Sequence, residues 1–589
     1  MNSHPRFPPR IWFSAVLVGI VAGLGAIVFR KLIALFHNVL FLGHLSTTYD
    51  ANLHTPPSPW GALVILVPVL GAAGVAFLVT TFAPEAKGHG VPEVMDAIYY
   101  NEGRIRPIVA LIKSLASALS IGSGGAVGRE GPIVQIGSSF GSTLGQVLRL
   151  PPWQRITLIA AGAGGGIAAT FNTPIGGVLF AVEIMLHEVS ARTLVPVVIS
   201  TVTATYIGQL AFGPHPSFVI PALETLYFRL ADPRILLSYV LLGLLTGLLS
   251  AVYIRAVYAF EDFFEARVRG GYYARHLLGM LVVGLMMYGC SRALGHYYIE
   301  GVGYATIQDI LTGTLGRVWL LILLFGLKLL ATSLTLGSGA SGGIFSPALF
   351  MGATLGGAYG ALLSALFPEL SASPPAFAVA GMAGVVGGST GAALAAIVMI
   401  FEMTLDYNVV MPMTITVALS YGVRKALSAE SIYTLKLVRR GHYMPEALQT
   451  NFHQLRRAHE VMETHLGSVP AETSLSAFAR AALADSGAIW YLVTKDDAVT
   501  GLATKDMALQ AFGESGGDVP VGGIALHAYV VVPERATVGE VAGRLRATGS
   551  VAALVSRNDG SVAAADVTGL ITRHQLGDAV SQAADLFGA

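Results

Sequence analysis

Polar positions are scarce over the first 426 residues, and those present fall in clusters. Uninterrupted apolar runs at 11–29, 61–83, 193–213 and 235–260 are each long enough to cross a bilayer, which takes roughly 20 helical residues. They predict membrane-spanning helices. Glycine-rich stretches with prolines at fixed offsets interrupt the apolar half. From about residue 441 the pattern changes to short apolar strands, charged turns and alanine-rich amphipathic helices, the signature of a soluble α/β region.

The apolar half repeats itself. LIKSLASALSIGSGGAVGREGPIV (111–134) lies over GLKLLATSLTLGSGASGGIFSPAL (326–349) without a gap, matching Lys113 to Lys328, Gly128 to Gly343 and Pro132 to Pro347. AGAGGGIAATFNTPIGGVLFAVEIM (161–185) lies nearly in register over AGMAGVVGGSTGAALAAIVMIFEM (380–403), so Glu183 falls on Glu402. Two halves, about 11–213 and 235–426, with broken helices at corresponding places point to a transporter-type fold with its site near the midplane. The tail repeats as well. After a linker at 441–458, segments 459–513 and 525–582 each read strand, helix, strand, strand, helix, and VTGLATKDM in the first resembles VTGLITRHQ in the second.

Composition agrees with the pattern. The 589 residues are 53% hydrophobic and 12% charged, with mean hydropathy +0.64, whereas soluble chains carry about a quarter charged residues. A net charge of +1 gives no reason to expect nucleic acid as a partner. The first apolar run is too long for a cleaved signal peptide. A lone cysteine, Cys290, excludes an intrachain disulfide and a cysteine-rich metal site, and reads as packing. Arg6 and Arg10 precede the first run, and Arg424, Lys425, Lys436, Arg439 and Arg440 follow the last. By the positive-inside rule both ends, including residues 1–10, are cytoplasmic and the number of complete crossings is even. No nucleophile–base pair, metal cluster or phosphate loop appears, so an enzyme is not expected.

Three segments, GHGVP (88–92), GREGP (128–132) and GGIFSP (342–347), place proline just after glycines, which marks a helix start. Irregular backbone at membrane depth survives only inside protein or beside a watery cavity. The first-turn N–H groups of such helices carry about half a positive charge and form a ready anion site, without the full charge that would hold an anion too tightly for conduction. The scattered glycines at 69–74 and 381–391 read instead as close helix packing. Glu130 in the second segment competes with an anion for the same N–H groups and lets go when protonated; an ionisable group at this depth is functional by default. Adjacent helical residues point apart, so Arg129 supports the fold or an outer vestibule rather than pairing with Glu130.

In order and spacing these segments resemble the signatures of the CLC family of chloride channels and anion/proton exchangers, and the tail resembles the paired CBS domains many members carry. The resemblance implies an all-α polytopic membrane domain (11–440) built as an inverted repeat of broken helices, followed by a cytoplasmic α/β CBS pair. It implies a homodimer in the bacterial inner membrane, surrounded by lipid, with one pathway per subunit for chloride or another small anion. Glu130 would be the gate. His89, Gly90, Gly131, Ile344, Phe345 and Tyr433 would form the anion site, Ile344, Phe345 and Tyr433 lining it, the Tyr433 hydroxyl donating to the anion and the main-chain N–H groups of Gly131, Ile344 and Phe345 completing the shell. Two departures stand out. His89 replaces the usual serine, which bears on the choice between chloride and nitrate. Ile184 occupies the position of the internal proton-transfer glutamate, which favours passive or weakly coupled conduction; an exchanger using another proton route, such as His187 and Glu188, is the alternative. Fluoride-selective members depart from GREGP, and this chain does not. Lys113 and Lys328 are expected to snorkel or to lend positive potential, and Glu183 and Glu402 to form a structural pair. No cofactor is expected: Met507 and Gln575 stand where the CBS nucleotide motif has its acid, although Asp506 lies beside the first.

Overall fold

The apolar runs become long helices, and the glycine–proline segments become the points where helices start. A computed structural model describes residues 9–187, 189–220, 233–370, 372–444, 456–484, 487–515, 519–558 and 560–577. The chain divides into two units, Phe7–Leu448 and Gln449–Ala589.

The first half of the larger unit runs α1 (Pro9–His37), α2 (Val67–Phe82), α3 (Val91–Tyr100), α4 (Ile108–Gly122), α5 (Glu130–Val147), α6 (Pro152–Phe171), α7 (Pro174–Phe180) and α8 (Ala191–Phe212). The second half runs α9 (Pro233–Arg267), α10 (Gly271–Leu294), α11 (Tyr304–Leu311), α12 (Val318–Ser338), α13 (Phe345–Leu366), α14 (Pro374–Thr390), α15 (Ala393–Thr404) and α16 (Val410–Leu427), with a short α17 (Thr434–Val438) after it. Helix for helix, the halves match. Among the described residues, seven helical stretches, including Arg10–Leu42, Arg234–Arg267 and Phe345–Leu366, are long and apolar enough to cross a membrane. Shorter apolar helices at Ile108–Gly122, Pro174–Leu186 and Ala393–Thr404 are the broken ones.

Packing repeats with the sequence. α5 lies on α6 as α13 lies on α14, and α1 lies on α8 as α9 lies on α16. A Cβ at Gly137 would sit 2.1 Å from Gly162 O, and one at Gly352 would sit 2.4 Å from Gly381 O. The same glycine–glycine backbone contact thus holds each half together, which is how small residues let membrane helices close up.

The halves also lock to each other. Glu402 of α15 accepts from Ile175 N (3.0 Å) and Gly176 N (2.7 Å) at the start of α7. Glu183, in the π-helical turn Ala181–Leu186 that continues α7, accepts from Leu394 N (3.2 Å) and Ala395 N (2.8 Å) at the start of α15. Each carboxylate satisfies otherwise orphaned N–H groups at the positive end of the other's helix.

Lys113 and Lys328 are fully buried and do not snorkel. Lys113 Nζ donates to Ala86 O (3.0 Å) and Gly88 O (2.7 Å), and Lys328 Nζ donates to Ile299 O (2.9 Å) and Gly301 O (2.7 Å). Each pins the loop that leads into the short helix of its own half, α3 or α11. Arg424, counted among the flanking surface charges, is also buried and donates to Gly388 O (2.8 Å), Ser428 O (3.3 Å) and Ala429 O (3.2 Å). Cys290 packs with Phe41, Met287 and Tyr297.

Among the described residues the smaller unit holds two three-stranded sheets. In one, β1 (Leu466–Pro470) pairs parallel with β2 (Trp490–Lys495), which pairs antiparallel with β3 (Ala498–Thr504). In the other, β4 (Tyr529–Pro533), β5 (Ala552–Ser556) and β6 (Val567–Thr572) repeat that order, with a register shift at the corresponding place. A helix, Leu475–Ala484 or Val538–Thr548, makes each parallel crossover.

Candidate anion site

Three loops meet where α3, α5 and α13 begin. Gly128 N donates to Gly343 O (2.7 Å) and Gly343 N returns the bond to Gly128 O (2.6 Å). Gly88 N donates to Ala340 O (3.0 Å), and Gly342 N donates to Gly88 O (3.2 Å). Ser341 Oγ ties the cluster to Ala86 O (2.6 Å) and contacts Ser117 Oγ (2.8 Å). A Cβ at Gly131 would lie 2.0 Å from His89 O, so any side chain there would force the first and second loops apart. Gly90, at φ +84°, turns the chain into α3 in a conformation that favours glycine.

Helix starts leave N–H groups without intrahelical acceptors. At the start of α13, Ile344 and Phe345 have no backbone acceptor among the described residues, and neither do Glu130 and Gly131 at the start of α5. Ser346 N does have a partner. It donates to Glu130 Oε2 at 3.2 Å. Glu130 Oε1 accepts from the Tyr304 hydroxyl (2.8 Å) and from Ser346 Oγ, and the two hydroxyls lie 2.9 Å apart. The Glu130 side chain is buried and lies on the N-terminus of α13, where an anion would bind.

Tyr304 and Ser346 were not singled out from the sequence. Ser346 lies inside GGIFSP, where a serine at a helix start reads equally well as a cap. Tyr304 follows GVG (301–303), which repeats GHG (88–90): all four glycines have positive φ. Gly88 lies 25 residues from Lys113, but Gly301 lies 27 from Lys328, and that two-residue offset hides the fourth loop from an ungapped comparison.

Arg129 makes no ion pair with Glu130. Its guanidinium lies over the rings of Phe171 (5.5 Å) and Tyr304 (5.1 Å). The His89 and Tyr433 rings are 5.9 Å apart. Both side chains are buried, and His89 Nδ1 has no hydrogen-bond partner among the described residues. Tyr258 Oη donates to Ile432 O (2.7 Å) and Tyr253 Oη to Ile344 O (3.1 Å), which position the backbone beside Tyr433 and Phe345. Gly90, Gly131, Ile344 and Phe345 are thus brought together, with Glu130, His89 and Tyr433 around them.

Ile184 is buried within the π-helical turn. Its neighbour Glu183 is committed to the cap on α15, so shifting the alignment by one residue does not recruit a free carboxylate. His187 follows in the loop, where burial pushes its imidazole down to about 4; its Nδ1 lies 3.0 Å from the Tyr99 hydroxyl, which also donates to Leu186 O at 2.8 Å. Glu188 lies outside the described residues. In the tail, Gln575 Oε1 accepts from Thr572 N (3.1 Å), and Met507 N donates to Thr504 Oγ1 at 3.3 Å. Among the described residues no cluster suited to a metal ion occurs.

Residues 70–425 match the family described as voltage gated chloride channel. An H(+)/Cl(-) exchange transporter ClcA of Vibrio parahaemolyticus is 34% identical over 64% of this chain and 80% of its own length. A second ClcA, from Vibrio cholerae, is 32% identical over 74% of this chain and 91% of its own. The crystal structure of a slow cyanobacterial Cl-/H+ antiporter superposes with TM-score 0.63 at 25% identity, covering 74% of this chain and 99% of that one. The loop cluster, the repeated halves and these matches lead to one conclusion: the chain belongs to the CLC family of voltage-gated chloride channels and chloride/proton exchangers, and is an anion-transporting membrane protein.

Proposed function

We propose that this protein conducts chloride or a similar small anion through a pathway gated by Glu130, with weak or absent proton coupling. The observation that carries the reading is the Glu130 carboxylate bound to Ser346 N, with free N–H groups of Ile344 and Phe345 beside it. Ionised, the side chain blocks the positive end of α13 and stands in for the transported anion. Protonated, it loses its claim on those donors, and an anion takes its place. The other donors are Gly131 N–H, the Tyr433 hydroxyl and, through its unpartnered Nδ1, His89.

Weak coupling is supported by Ile184, by the commitment of Glu183 to a helix cap, and by the burial that keeps His187 neutral at ordinary pH. Obligatory exchange is the second reading, favoured by relatives named as exchange transporters. We infer further that the protein works as a homodimer in the bacterial inner membrane with both termini cytoplasmic, and that the tail is a CBS pair with a regulatory role and little nucleotide affinity. The basic residues after α16 and the two repeated sheets support these assignments.

The test follows chloride efflux and external pH together, from liposomes under a chloride gradient with valinomycin present. Efflux without proton movement supports the proposal. Protons driven against their own gradient by chloride would establish the exchanger and require a route past Ile184.

A further inference from the structure

Arg129 is a buried guanidinium with no hydrogen-bonding or ion-pair partner among the described residues. It is 7% exposed, its Nε has no acceptor, and no described residue forms a hydrogen bond or ion pair with it. A guanidinium carries five N–H donors and cannot shed its charge. Two aromatic faces help to hold the charge, and the buried Nε–H is left without an acceptor among the described residues. Leaving a cation this buried and unpaired is costly, so the site calls for an acceptor.

The cavity beside it tells what kind. It measures about 20 Å³ and is lined by Arg129, Arg30, His37, Tyr49, Ile121 and Val302. A single water needs roughly 10–15 Å³ on this measure, so there is room for one small ion and not for a phosphate ester or a carboxylic acid. Arg30, from α1, brings a second guanidinium, resting on the Phe212 ring at 4.3 Å. It also has no ion pair among the described residues. Of the carboxylates nearby, Glu300 accepts from His37 Nε2 (2.9 Å) and Thr55 Oγ1 (3.1 Å) and Asp50 accepts from Asn52 N (3.0 Å), and neither forms an ion pair with Arg30 or Arg129 among the described residues. Two like charges on one small cavity repel each other unless an anion lies between them.

We propose that this cavity is a second anion site, holding one halide between Arg30 and Arg129 on the Arg129 side of the gate. It rests on the reading of Glu130 as the gate. Tyr304 links the two: its ring faces Arg129 while its hydroxyl holds Glu130. An anion waiting there is one residue away when Glu130 withdraws, and sets the concentration at which flux from that side saturates.

Crystals of the full-length protein grown in bromide provide the test. The anomalous map should show a peak between Arg30 and Arg129 and another beside Ile344, Phe345 and Tyr433. Arg30→Gln should remove the first and keep the second. In oriented bilayers the same substitution should raise the half-saturating chloride concentration about tenfold from the Arg30 side only, with Arg30→Lys restoring most of it. A central peak with none in the cavity, or a half-saturation unchanged by Arg30→Gln or shifted equally from both sides, would overturn the proposal. Absence of the central peak as well would overturn the gate reading on which it rests.

Discussion

Removing the Tyr304 hydroxyl should loosen the gate by a predictable amount. Tyr304→Phe keeps the ring that faces Arg129 and deletes one donor to Glu130 Oε1, a bond of 2.8 Å. Hydrogen bonds to a charged partner contribute about 1.5–3 kcal/mol each when buried. That bond favours the ionised carboxylate in its blocking position, so its loss lets the carboxylate take a proton and leave at higher pH. At about 1.4 kcal/mol per pH unit, the pH of half-maximal flux should rise by about one to two units. Ser346 Oγ shares Glu130 Oε1 with Tyr304 and sits 2.9 Å from its hydroxyl, so it can absorb part of the loss. Ser346→Ala should act in the same direction, and the double variant should shift the midpoint by an amount that differs from the sum, as directly coupled groups do. The assay is chloride efflux from liposomes across pH 4–8. A Tyr304→Phe curve superimposed on wild type, in protein that conducts normally, would refute the assignment of these hydroxyls as the gate's clasp.

Other substitutions read other parts of the account. Lys113→Met and Lys328→Met each strip donors from two buried carbonyls, and each should destabilise the detergent-solubilised protein by about 2–4 kcal/mol; thermal unfolding equal to wild type would contradict the loop-pinning role. Gly137→Ala or Gly352→Ala would drive a methyl into a carbonyl 2.1 or 2.4 Å away, and should give aggregated protein on size-exclusion chromatography, with a monodisperse peak counting against the close-packed pairs. Glu402→Gln should weaken the cap on α7 by about 1 kcal/mol and leave the pH dependence of flux untouched; a moved midpoint would place Glu402 in the proton chemistry. His89→Ser should shift the chloride/nitrate preference toward chloride, and an unchanged permeability ratio would put the imidazole outside the anion path.

Much of this architecture was legible in the chain because its physics is local. Apolar length gave the spanning helices, and glycine followed by proline gave the starts of α3, α5 and α13. The repeat aligned Glu183 with Glu402, and the structure has each capping the other's helix. What the alignment could not carry was three-dimensional convergence. Lys113 and Lys328 looked like charges seeking the interface, yet each is enclosed and spends its donors on carbonyls more than 20 residues upstream. Tyr304 entered through a loop whose register is offset by two, and Arg30 through a cavity formed by segments distant in sequence. The π-helical turn at Ala181–Leu186 is another such feature. No periodicity signal announces an extra residue in a helix, and here it falls beside Ile184.

The central claim is that Glu130 closes the anion path, and Glu130→Gln tests it most directly. Glutamine keeps the shape of the protonated carboxyl and cannot ionise. Chloride efflux from liposomes carrying the variant should be high and flat from pH 4 to 8, while wild type rises as the medium turns acidic. Flux in the variant that still climbed toward acidic pH with the wild-type midpoint would contradict the account, whatever anion is carried.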